Sequence, residues 1–178
     1  NDAVVVMIPK ASNPDHKWSA IGNPFPSYLP VNSSAGTENL LAANANSLDL
    51  AFSFLYVWNG TSYTAVGNLT DAFYLAPGQG FIVKASGNNK TFTFSRLLQS
   101  HNTVGAGFFR SETKPKIELT VSDGASSSAT ELYFLDNATL GLDPGYDAGA
   151  YQDGVPTFAV NTHLVADSKG IDFTIQSL

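Results

Sequence analysis

The chain has 178 residues, 43% hydrophobic and 12% aromatic, which is enough apolar surface to offset the ordering entropy of a folded core, so it reads as folded rather than disordered. A net charge of −6, with nine scattered basic residues, gives a field that repels nucleic acid and anionic membranes and favours a neutral ligand. Cysteine is absent, which removes disulfides, thiolate nucleophiles and Cys-ligated zinc, and no apolar run approaches the roughly 18 residues that cross a bilayer, so no membrane insertion is expected.

In chain order, the first element with a helical signature is Thr37 to Asn46, where Thr37 is positioned to cap a short helix through Leu40, Leu41, Ala42 and Ala43. Ala51 to Thr64 reads as a hairpin, because Asn59-Gly60 supplies the two positive-φ residues of a type I′ turn. That turn sets Trp58 opposite Thr61, Tyr56 opposite Tyr63 and Phe54 opposite Ala65. Period-two alternation then puts Phe52, Phe54, Tyr56 and Trp58 on one face and Leu55 and Val57 on the other, a strand either buried on both sides or carrying its aromatics toward solvent. Phe81, Val83 and Ala85 share one face of the next strand, and Phe92 and Phe94 one face of the strand after the Asn88-Asn89 turn. Between about Ser100 and Thr113 the pattern loosens around Gly105 and Gly107. Beyond it, Ile117, Leu119 and Val121, and later Ile171, Phe173 and Ile175, alternate with polar residues, which predicts half-buried strands of an antiparallel sheet. The expected fold is therefore all-β: an antiparallel, jelly-roll-like β-sandwich with minimal helix. It is built as one domain or as two sandwich-like halves, residues 1–100 with the aromatic hairpin and 101–178 with an Asp/Gly-rich loop.

Three phrases in order, Trp18-Ser19-Ala20-Ile21-Gly22-Asn23-Pro24-Phe25-Pro26-Ser27, Tyr56-Val57-Trp58-Asn59-Gly60 and Ala76-Pro77-Gly78-Gln79-Gly80-Phe81-Ile82-Val83-Lys84-Ala85, carry a family resemblance. Arg96 with His101, Phe109-Arg110, and Ala138-Thr139-Leu140-Gly141-Leu142-Asp143-Pro144-Gly145-Tyr146-Asp147-Ala148 fit the same pattern. Together they resemble a β-rich module of the secreted proteins of Bacteroidetes, of the type IX secretion-associated kind. The resemblance spans roughly Lys17 to Leu178. It implies an extracellular or cell-surface setting and covalent linkage to neighbouring domains of a larger parent protein, in some cases a polysaccharide-degrading enzyme. It does not imply one activity.

No catalytic residue is assigned. His16, His101 and His163 sit in unrelated contexts without a nucleophile elbow, and the four glutamates, Glu38, Glu112, Glu118 and Glu131, have no evident partner for glycosidic acid–base work. Asp143, Asp147 and Asp153, in a Gly-rich stretch that also holds Asp136 and Asn137, offer the oxygen ligands calcium prefers, or bond local backbone amides as turn residues. Tyr56, Trp58 and Tyr63 are candidates for stacking on pyranose rings, or for core packing. One ring contact removing roughly 80 Å² gives about 2 kcal/mol at about 25 cal/mol per Å², whereas a millimolar complex needs about 4 kcal/mol, so a second contact is required. Tyr146 and Tyr151, which lie outside any strand pattern, are further ligand-binding candidates in surroundings that suit sugar hydroxyls or a calcium-bridged glycan. The expected function is a non-catalytic carbohydrate-binding module of a secreted polysaccharide-degrading enzyme. The alternative is a structural spacer or adhesion module that binds no sugar.

Overall fold

The computed structural model describes residues 3–9, 18–101, 114–151 and 158–178, and Asp153 lies outside them. The chain is all-β, with a single five-residue α-helix among the described residues. It divides into two compact units, one of residues 1–49 and 53–111 and one of residues 50–52 and 112–178.

The first unit contains β1 (Ala3–Met7), β2 (Trp18–Gly22), β3 (Leu29–Pro30), α1 (Leu40–Asn44), β4 (Leu55–Trp58), β5 (Tyr63–Val66), β6 (Tyr74–Leu75), β7 (Gly80–Lys84) and β8 (Thr91–Ser95). A four-stranded antiparallel sheet runs in the order β2-β7-β4-β5, with β1 and β8 paired in a second sheet and β3 and β6 in a third. Alternation along β7 turns Phe81 and Val83 to the inside, where Phe81 meets Phe92 and Phe94 of β8 at ring separations of 5.6 and 6.2 Å. These rings and Leu55, Val57 and Val66 are buried in one core between the sheets, each worth about 1.5–3 kcal/mol by burial. Asn88-Asn89 does join β7 to β8, with Asn89 at φ +56°, but the two strands do not pair. The turn carries the chain from one sheet to the other.

Two local expectations are corrected here. The helix is capped by Asn39, not Thr37: Asn39 Oδ1 accepts from Ala42 N–H at 2.9 Å while its Nδ2 donates to the Gly36 carbonyl at 2.8 Å. The amide satisfies both sides of the entry, which a hydroxyl at Thr37 is too early in the chain to do. The β4–β5 connection is a four-residue loop, so Trp58 faces Tyr63, Tyr56 faces Ala65 and Leu55 faces Val66. Asn59 Oδ1 accepts from both Thr61 and Ser62 N–H at 2.9 Å, and only Gly60 has positive φ, +105°. The Asn side chain organises the loop that a type I′ backbone was expected to make.

The second unit contains β9 (Lys116–Ser122), β10 (Ser127–Tyr133), β11 (Ala148–Gly149) and β12 (Phe173–Ser177), in the order β11-β12-β10-β9. The β9–β10 and β11–β12 pairs are antiparallel, but β10 and β12 run parallel. Phe173 and Ile175 are buried, as their alternation predicts. Ile117, Leu119 and Val121 are not half-buried: all seven residues of the edge strand β9 are exposed. Alternation assigns these three to one face of the pleat, and among the described residues no layer covers that face. Residues 50–52, of which Ala51 and Phe52 were expected to open the aromatic strand, instead form a 3₁₀ turn in which both are buried, and the strand begins at Leu55. The Phe52 ring lies so close to Gly149 that a Cβ there would sit 2.4 Å from it.

Candidate functional site

On the outward face of the four-stranded sheet, Trp58 ends β4 with 53% of its surface exposed. It is braced edge-on by its cross-strand neighbour Tyr63, ring centroids 5.2 Å apart and planes at 65°. Beside this pair Gly22 of β2 lies opposite Gly80 of β7, and Ala20 opposite Ile82. Two strand ends without side chains leave a furrow, and Trp58 and Tyr63 form its wall. The result is an open groove of about 770 Å³, lined by Ala20, Gly22, Trp58, Tyr63, Gly80 and Ile82 among others, with no charged side chain.

Tyr56 shares this face but does not line the groove. It is 1% exposed and packs against the edge of Trp18 at 4.8 Å, with Phe54 at 6.4 Å. Burial pushes its hydroxyl pKa well above the ordinary value, with Asp49 adding to the shift. The expectation that Tyr56 offers a stacking surface is corrected: its ring belongs to the interior. Trp18 covers it, and the Lys84 ammonium lies 5.6 Å from the Trp18 ring.

In the second unit the loop before β11 is held by two carboxylates. The Asp143 carbonyl accepts from the N–H of Tyr146 and Asp147 at 3.0 and 2.9 Å, and Gly145 takes φ +82° to close the turn. Asp147 is fully buried. Its Oδ1 accepts from Ser177 N–H at 2.6 Å and Ser177 Oγ–H at 2.8 Å, and its Oδ2 from Asp143 N–H at 2.6 Å. Asp143 in turn accepts from Thr139 N–H at 2.7 Å and Thr139 Oγ–H at 3.1 Å. Loss of solvation raises the Asp147 pKa, against hydrogen bonds from Ser177 and Asp143 that lower it and with the Asp143 charge raising it further. These oxygens face N–H and O–H donors, which is the arrangement of turn residues, and no cluster of three His, Cys, Asp or Glu side chains is disposed to hold a metal among the described residues. Tyr146 stands next to them, 39% exposed, on the rim of a cavity of about 530 Å³. Tyr151 is half-buried.

The structure thus joins Trp58 to Tyr63, and Tyr146 to Asp143 and Asp147, each pair within one unit. Sequence reasoning missed the groove floor. The signal was present in Gly22 and Gly80, each at the end of an apolar strand, but only pairing brings the two glycines opposite one another. Comparison with family models, with curated proteins and with solved structures finds no match to this chain.

Proposed function

We propose that this chain is a non-catalytic carbohydrate-binding module of a secreted polysaccharide-degrading enzyme, extracellular or at the cell surface, which binds a neutral glycan in the Trp58 groove. The observation that carries the reading is a half-exposed Trp58 ring, fixed by Tyr63 and standing over an uncharged furrow. A tryptophan left in water at a strand end has no packing reason to be there, whereas a pyranose ring offers a matching apolar face. The glycine floor lets further sugar residues approach the backbone, whose groups supply the second contact that a millimolar complex requires. Lack of charge in the groove and a net charge of −6 both favour neutral over anionic polymers. The secreted setting rests on the resemblance of the ordered phrases.

Affinity electrophoresis against neutral and acidic plant and algal glycans, with and without chelator, tests this. The expected result is retardation by a neutral polysaccharide, lost in Trp58→Ala and unchanged by chelator, because no carboxylate lines the groove. Retardation abolished by chelator would move binding to the aspartate loop, and retardation retained by Trp58→Ala would remove the groove from the account. One observation favours the spacer reading, in which the module positions neighbouring domains: the exposed stripe of Ile117, Leu119 and Val121 on the edge strand β9. Absence of retardation by any glycan would leave that reading in place.

A further inference from the structure

We propose that the second unit carries a separate binding pocket beside Tyr146, which takes a single neutral sugar ring. The cavity of about 530 Å³ falls in the range of small-molecule sites, roughly 300–1,000 Å³. Its lining combines apolar groups, Leu135, Pro144 and the Tyr146 ring, with the polar side chains of Lys114, Asp136 and Asn137. Asp143 and Ser177 in the lining, with Asp147 behind them in the chain's hydrogen-bond network, spend their polar atoms on one another and on Thr139. The rim differs. The side chains of Asp136 and Asn137 and the Tyr146 hydroxyl make no hydrogen bond among the described residues, although all three border the same cavity.

This set selects its ligand by elimination. A wholly apolar molecule would strand a carboxylate, an amide and a phenol against a surface that cannot bond them. An anion would meet two carboxylates, Asp136 and Asp143, against one lysine. A pyranose satisfies every part: its apolar face lies on Tyr146 and Pro144, and its hydroxyls donate to Asp136 and both donate to and accept from Asn137 and the Tyr146 hydroxyl. The pocket does not depend on the Trp58 groove. It gives one chain two sites that the two variants below separate.

Amide chemical shifts of the full chain, titrated separately with D-glucose, D-galactose, D-mannose and D-xylose to about 50 mM, well above the millimolar range of a weak single-ring complex, decide the matter. The expected result is saturable shifts at residues 135–138, 143–146 and 177 with at least one sugar, absent in Tyr146→Ala and preserved in Trp58→Ala. Should Tyr146→Ala lose its dispersed spectrum, Asn137→Ala at an exposed rim position replaces it, with an expected weakening of threefold or more. Shifts confined to the groove, shifts that survive these rim variants, or no shift with any of the four sugars would overturn the proposal.

Discussion

Trp58 makes its described ring contact with the edge of Tyr63 and keeps half its surface in water, so its removal tests binding without dismantling the core. Trp58→Ala is expected to cost about 0.5–1.5 kcal/mol, the worth of an aromatic pair, read as a small fall in the urea midpoint. Asp147 is the opposite case. Its carboxylate satisfies two N–H groups and a hydroxyl with no solvent to replace it, so Asp147→Ala is expected to lower stability by about 2–4 kcal/mol, since buried donors lose their acceptor. Its pKa is raised in the folded state, so the native chain holds this proton more tightly than the unfolded chain does. The native protein binds more protons than the unfolded one in the window above the ordinary carboxylate value of 3.8. Its contribution to stability is therefore greatest at low pH and declines as pH rises through the folded pKa. Urea midpoints of wild type and Asp147→Ala across that window are expected to converge as pH rises. A difference that is constant or grows with pH would refute the assignment.

At the scale of elements, the face of a strand proved more legible than its turn. The expected hairpin register and the observed one differ by two residues, an even shift, so Tyr56 and Trp58 stay on the face assigned to them although every cross-strand partner changed. The turn was misread because Asn59-Gly60 promises two positive φ angles, while the Asn59 side chain bonds Thr61 and Ser62 and holds a wider loop. The same alternation that correctly buries Phe81, Val83 and Phe173 gives the wrong burial for Ile117, Leu119 and Val121, because it marks a face without telling whether another layer covers it. For the same reason Leu119→Ser is expected to change the unfolding free energy, read from urea denaturation, by less than about 0.5 kcal/mol, as an exposed substitution does. Gly149 is the contrasting position. An added methyl would overlap Phe52, so Gly149→Ala is expected to cost about 1–3 kcal/mol through overpacking, and a neutral effect would show that the 3₁₀ turn yields freely.

For the whole molecule, composition and alternation were enough to indicate an all-β chain with minimal helix. They could not indicate that residues 50–52 leave the first unit to pack in the second, because three residues carry no periodicity of their own. Nor could they separate Tyr56 from Trp58 as core and surface, since both lie on one face and it is the packing of Trp18 and Phe54 against Tyr56 that distinguishes them. The most direct test of the central claim, that a neutral glycan stacks on Trp58, uses the fact that the chain has only two tryptophans. In a Trp18→Phe background Trp58 is the sole indole, and its emission and its quenching by acrylamide can be followed while the most strongly retarding polysaccharide is added. Stacking of a sugar ring on Trp58 is expected to give a saturable blue shift with protection from acrylamide. An indole whose emission and quenching stay unchanged while the glycan is bound would contradict it.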